Sequence, residues 1–255
     1  MSTITMTNLD LNIVERLLTD RPSFHLGGHA HWASLPDTLH AIRAAVKPGD
    51  VTLETGAGAS TIVFAAAGAS HTVISPDPQE HELIREYCRQ IGIDDSQLTF
   101  IAEFSEDVLP SLLSRERTLD VAFIDGAHSF PFPAVDWCYI SRSLKPGAKL
   151  ILDDINIPTV EPVFRHMSLE SNWRFDGVLD NRGAAFTFLN APRADDFWPA
   201  QRMNAGYPDF SFAPVPERLK LATAHRVSEL RQTIAHRSPG LVRLYKRAAT
   251  NRRAR

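Results

Sequence analysis

Five short apolar stretches recur along the first three-fifths of the chain, and each alternates with a segment of helical pattern. They fall at 51–54, 72–75, 98–102, 120–124 and 149–152, with helical patterns at 37–46, 60–67, 79–91, 106–113 and 134–144. Strands separated by helices of that length call for βαβ crossovers, hence a parallel sheet with helices on both faces. After residue 152 the rhythm changes. A helical pattern at 160–168 leads into WRFDGVLDNRGAAFTFLN, which reads as two strands turned around Asn181-Arg182-Gly183, an antiparallel pair. The expected fold is therefore α/β and doubly wound, a mostly parallel Rossmann-like sheet ending in an antiparallel hairpin.

The core accounts for residues 36–190, with 1–35 an N-terminal segment in front of it. Residues 191–216, rich in Pro, Asp and Phe, read as a linker, and 217–255 as a helical C-terminal extension with helical stretches at 217–235 and 241–249. The net charge of −3 hides a division. From residue 213 onward there are 11 Lys and Arg against two acids, while the rest carries 16 basic and 28 acidic residues. An acidic body argues against a nucleic-acid face, so no nucleic-acid partner is expected, and the basic helices read as solvated or as packing on a second copy in a homo-oligomer. The longest apolar run, IVFAAAGA, falls far short of the roughly 20 residues that span a bilayer. MSTITMTNLDLNIVERLL lacks the basic-then-apolar order of a secretory leader. Cys88 and Cys138 show neither metal nor redox spacing, so free thiols and a cytoplasmic protein are the expectation.

The first strand runs into a glycine loop in VTLETGAGAST, the kind of turn that holds a cofactor at a sheet edge. A dinucleotide fingerprint wants a small residue where Thr61 stands. Two further features bear on the ligand. Asp77, in ISPDP, lies 21 residues after Gly56 at the second strand's tip, where a carboxylate can accept from both ribose hydroxyls. Glu54, just before the glycines, would repel a pyrophosphate and suit a ligand bearing an ammonium group. The reading is a nucleoside ligand without phosphates. A nucleotide-dependent oxidoreductase is the alternative from another class.

At these residues the sequence resembles the class I S-adenosylmethionine-dependent methyltransferases. ETGAGAST is similar to their first motif and ISPDP to the acidic tip of their second strand. FSEDVLPSL resembles the segment after the third strand that borders adenine, and LDVAFIDGAHSF and SLKPGAKLILDD the fourth- and fifth-strand motifs. The likeness spans residues 36–190. It implies a seven-stranded sheet, with Glu54, Gly56, Gly58 and Ser60 around the amino-acid end of S-adenosylmethionine and Asp77 on its ribose. Phe104 and Ser105 would flank adenine, with Asp125 also near the cofactor. Phe104 stands where relatives often carry an acid, and Ala148 where a glycine is common.

Carboxylates stand at two further tips, Asp125 after the fourth strand and the pair Asp153 and Asp154 after the fifth. Adjacent strands lie about 4.8 Å apart, so these acids can converge, and crowded carboxylates repel unless a cation neutralises them. An all-oxygen set selects Mg²⁺, Ca²⁺ or Mn²⁺. The arrangement is similar to that of metal-dependent O-methyltransferases acting on catechol-like, sugar and macrolide hydroxyls. A metal on Asp125, Asp153 and Asp154, Mg²⁺ first, is the expectation; helix capping by the acidic pair is the alternative.

His128 stands three residues after Asp125, where the resemblance implies a residue that removes the substrate proton. A histidine with an ordinary pKa near about 6.5 suits that task, although a loop histidine bonded to backbone reads equally well. Phe130 or Phe132 would line the acceptor pocket. FHLGGHAHWASLP, with His25, His29, His31 and Trp32, is a candidate lid. The function expected is methyl transfer, metal-assisted, from S-adenosylmethionine to a hydroxyl of a small molecule of sugar or natural-product type, with Asp125 and His128 as catalytic residues. A metal-independent N- or O-methyltransferase is the runner-up.

Overall fold

A computed structural model describes residues 13–24, 34–113, 118–189 and 201–237. The chain divides into two compact units, Met1–Ala205 and Gly206–Arg255. In the first, helices α1 (Ile13–Asp20) and α2 (Pro36–Ala45) precede the alternating series. That series runs β1 (Val51–Thr55), α3 (Ala59–Ala66), β2 (Ser70–Ile74), α4 (Pro78–Ile91), β3 (Leu98–Ile101), α5 (Ser105–Leu112), β4 (Leu119–Ile124), α6 (Phe132–Ser143) and β5 (Leu144–Leu152). Helix α7 (Glu161–Leu169) and the hairpin β6 (Trp173–Leu179) and β7 (Gly183–Phe188) close it. The seven strands form one sheet in the order β3-β2-β1-β4-β5-β7-β6. β1 to β5 are parallel where they pair, and β7 runs antiparallel to β5 and β6.

The central strands are buried on both faces because helices cover both. Side chains alternate across β4: Val121 and Phe123 join one apolar cluster with Ile13, Leu39, Phe64 and Ile84, while Ala122 and Ile124 join another with Leu109, Ile140 and Met167. Phe64, Phe123 and Phe186 are fully buried, each worth about 1.5–3 kcal/mol relative to exposure. Burial also pushes the Cys88 thiol up to about 11, which leaves it an inert core residue; both cysteines are free.

Register sets where chemistry can occur. Thr55 pairs with Ile74 on one side and Ile124 on the other, and Ile124 pairs with Leu152, so four strands end on one rim. The residues just past those ends face a common space.

The elements depart from the sequence reading in two places. Helix α1 forms within the segment expected only to precede the core, with Ile13, Val14 and Leu17 buried. β5 begins at Leu144 because Leu119 pairs with it before a register shift, so the stretch around Pro146-Gly147 bulges out of the β4 ladder within the strand. In the second unit α8 (Val215–Arg237) is preceded by a 3₁₀ turn at Arg202–Ala205 that belongs to the first. Arg218 ties the start of α8 to Ser211 and Ala213 carbonyls, at 2.7 and 3.3 Å. Among the described residues no helix is long and apolar enough to cross a membrane. The histidine-rich segment 25–33 and the stretch 241–249 lie outside the described residues.

Candidate active site

The glycine loop is shaped by a close approach. Gly56 has φ +91°, and a Cβ there would lie 2.2 Å from the Asp125 carbonyl oxygen, so only glycine lets the loop after β1 lie against the loop after β4. Gly58 is different: it faces open space, and a side chain there would project into the room the loop leaves. The loop is anchored from beneath. Thr61 Oγ1 accepts from the Gly58 N–H at 3.1 Å and donates to Glu54 Oε1, while Ser60 Oγ donates to Glu54 Oε2 at 2.7 Å. His71 Nε2 lies 3.2 Å from Glu54 Oε1, its Nδ1 meets Thr52 Oγ1 at 2.8 Å, and its ring stacks on Phe64. Glu54 is fully buried in this network.

At the β2 tip Asp77 caps α4, one carboxylate oxygen accepting from the Gln79 N–H at 2.8 Å. Proline at the first helical position fixes the turn, so the carboxylate is held at the rim. Across the rim Phe104 is exposed at the start of α5. Ser105 is buried, its hydroxyl donating to Asp136 Oδ1 on α6 at 2.7 Å. Burial holds the Asp136 carboxyl above the usual carboxylate range.

The other half of the rim carries the three aspartates. Asp153 continues the β5 ladder, its N–H donating to the Ile124 carbonyl, and its side chain turns inward with 1% exposure. Asp154 then takes φ +53°, which directs its carboxylate the other way. Arg182, from the turn between β6 and β7, spans both. Its Nη2 is 2.8 Å from Asp153 Oδ2, and its Nε is 3.3 Å from Asp153 Oδ1 and 3.0 Å from Asp154 Oδ1. The second Asp154 oxygen lies 3.4 Å from His128 Nδ1, and Asp125 Oδ1 lies 3.6 Å from His128 Nε2. Nε2 has no hydrogen-bond partner among the described residues. Burial, then the charges of Asp153 and Asp154, push the Asp125 carboxyl well above its ordinary range.

One cavity of about 1140 Å³ joins these groups. Gly56, Gly58, Asp77, Phe104, Ser105 and Asp125 line it, as do His128, Asp154 and Arg182. Leu17, Arg21 and Phe24, from α1 and the segment after it, form part of its wall. Two residues expected at the cofactor, Glu54 and Ser60, lie under the loop and not on this wall, because their polar atoms satisfy each other. Asp153 is likewise off the wall, its oxygens committed to Arg182.

Residues 53–155 match the model of a family described as a methyltransferase domain. The fold is similar to that of cofactor-bound Rv0187 from MTB, at 16% identity and a TM-score of 0.53, over 75% of this chain and 94% of that one. A methyltransferase from Geobacter sulfurreducens shares it at 17% identity and a TM-score of 0.52, over 72% and 91%. So does a protein described as a putative O-methyltransferase from Klebsiella pneumoniae, at 19% identity and a TM-score of 0.51, over 74% and 92%. No curated protein matches the sequence. Residues 53–155 therefore form a methyltransferase domain, on a fold that solved methyltransferases share.

The residues present fit the methyltransferase's cofactor on two counts: the open face at Gly58, and a rim carboxylate at Asp77 with no phosphate-binding third glycine. The fit for a divalent ion is narrower than the sequence implied. Donor atoms of Asp125, His128 and Asp154 all lie within 4.8 Å of one another, and that set has an imidazole in place of Asp153. Sequence reasoning missed Arg182 and Asp136 altogether. It noticed Thr61 only as a poor third small residue, whereas Thr61 is the side chain that pins the loop.

Proposed function

We propose that this methyltransferase transfers the methyl group to a hydroxyl of a small molecule, with His128 as the base. The observation that carries the reading is the single cavity that places the glycine loop, Asp77 and the His128 imidazole on one rim. At about 1140 Å³ it exceeds the roughly 300–1,000 Å³ typical of a site for one drug-sized ligand, so cofactor and acceptor have room side by side. When bound, S-adenosylmethionine supplies a methyl group on a positively charged sulfur. The chain does the rest. Asp77 accepts from the ribose, the glycine loop leaves space for the amino-acid end, and Phe104 and Ser105 border adenine.

Asp154 faces His128 Nδ1 and so favours the tautomer whose Nε2 carries a lone pair. Nε2 would take the acceptor proton, and the rim would hold the freed oxygen in line with the methyl carbon and sulfur. The bond to sulfur would break as the new bond to oxygen forms, leaving the cofactor as the neutral thioether; positioning supplies most of the gain. The similarity to the protein described as a putative O-methyltransferase supports oxygen as the nucleophile. The apolar wall from Leu17, Phe24 and Ile157 favours a hydroxylated metabolite with an apolar body.

A divalent ion on Asp125, His128 and Asp154 is the second reading, favoured by their mutual spacing. The two readings use His128 differently, as base or as ligand. Incubation with methyl-labelled S-adenosylmethionine and a panel of hydroxylated and amine acceptors tests the function. Label recovered as a methyl ether supports it, and label found only on nitrogen contradicts it.

A further inference from the structure

Three aspartates at adjacent strand tips need a positive charge, and the structure already contains one. Both oxygens of Asp153 accept from the Arg182 guanidinium, and Asp153 Oδ1 also accepts from the Asp154 N–H at 2.9 Å. The same Nε lies 3.0 Å from Asp154. With a side-chain exposure of 1%, Asp153 cannot swing toward the cavity without giving up this pairing.

Arg182 is not a surface side chain that happens to reach the site. The turn that carries it has φ +51° at Asp180 and +57° at Asn181, with the Arg182 N–H donating to the Leu179 carbonyl. That turn is locked to the start of α2. Asp180 Oδ2 accepts from the Thr38 N–H at 2.9 Å and from its hydroxyl at 3.4 Å, and the Asp180 N–H faces Asp37 at 3.4 Å. The Arg182 carbonyl accepts from the Ile155 N–H at 2.7 Å, tying the turn to the loop after β5. Gly183 packs beneath, where a Cβ would meet Thr38 Oγ1 at 3.3 Å and Asp153 Oδ1 at 3.5 Å.

We propose that Arg182 is the resident cation of the acceptor site, a positioning residue whose guanidinium neutralises Asp153 and Asp154 and so takes the place of a divalent metal. The inference rests on the methyl-transfer reading for its consequence but not for its geometry. A guanidinium stays charged at every working pH, and its fork matches two carboxylates at once. A dication on Asp154 would sit beside that fixed positive charge and be repelled by it. Held by Arg182 on one oxygen, Asp154 keeps the other for His128, and the base keeps its orientation without an ion.

The test is Mn²⁺ binding followed by electron paramagnetic resonance, with no acceptor present. The wild-type protein is expected to leave Mn²⁺ free at millimolar concentration. Arg182→Met should bind one equivalent at least tenfold more tightly, and adding Asp154→Asn should abolish that gain. Arg182→Lys, which keeps the charge but not the fork, should bind more tightly than wild type and more weakly than Arg182→Met, and it carries the test if Arg182→Met fails to fold. Wild-type protein that binds one Mn²⁺ and loses it on Asp154→Asn overturns the proposal, as do folded Arg182 variants no better than wild type. Calorimetry with S-adenosylmethionine separates the two readings. Binding of that ligand together with Mn²⁺ by wild type overturns only the role of Arg182, whereas failure to bind it overturns the functional reading.

Discussion

Two acidic centres sit at neighbouring strand tips of this sheet, and the protein neutralises them in opposite ways. Glu54, at the end of β1, is sealed beneath the glycine loop, its oxygens shared among Ser60, Thr61 and His71. The aspartates after β4 and β5 are neutralised from one side only, by Arg182, and stay open to the cavity through Asp125 and Asp154. The partners of Glu54 come from within 17 residues of it, whereas the open centre draws Arg182 from 29 residues beyond Asp153, across the pairing of β5 with β7. An acid at a sheet rim therefore does not declare its role by position. Whether its lone pairs are spent on the fold decides that.

The contrast is broken most severely at the open centre. His128→Asn keeps a polar group but no base, and turnover should fall about 10²–10⁴-fold while S-adenosylmethionine affinity stays within about twofold, read by steady-state kinetics and calorimetry. Equal losses in both would make His128 a binding residue. Next comes the seam between the centres. Gly56→Ala places a Cβ against the Asp125 carbonyl at a positive φ, and chemical denaturation should show a loss of about 3 kcal/mol. No loss would mean that the two loops do not touch.

The places of the glycine loop, Asp77 and Ser105 on the rim were legible in the sequence, whereas the burial of Glu54 and Ser60 beneath the loop and the pairing across the aspartates were not. Glycines, Asp77 and Ser105 each follow directly on their own strand, so the alternation of strand and helix places them. Strand positions came within one or two residues for β1 to β4, because each holds β-branched, leucine or phenylalanine side chains between helical stretches. Arg182 was illegible, since its partners Asp153 and Asp154 belong to another loop and are joined to it only through the pairing of β5 with β7. The turn itself was visible, but nothing local says that it points into a site. Asp153 and Asp154 look equivalent in the sequence, and only the continued ladder at the first and the left-handed backbone at the second separate them. Helix α1 did leave a signal, in the apolar spacing of Ile13, Val14 and Leu17, that the reading passed over.

Smaller effects sharpen the sealed centre. Glu54→Gln removes the charge facing His71 and should cost about 2 kcal/mol of stability by thermal or chemical unfolding. A loss of cofactor affinity with unchanged stability would instead place Glu54 at the ligand. The smallest effect is expected at Asp136. Burial raises its carboxyl, so the folded protein holds that proton to higher pH than the unfolded chain does. Stability from this group is then present at low pH and lost as pH rises through the raised value. Asp136→Asn does not titrate, so its stability relative to wild type should climb from acid to neutral pH. A flat difference would mean that Asp136 ionises normally.

Methyl transfer at this rim requires above all that the cavity hold S-adenosylmethionine with Asp77 on its ribose. Isothermal titration of that ligand into wild-type and Asp77→Ala protein tests this directly. One equivalent should bind to wild type, and Asp77→Ala should bind about tenfold or more weakly, consistent with loss of hydrogen bonds to a charged acceptor. Equal binding by both proteins, or none by wild type, would contradict it.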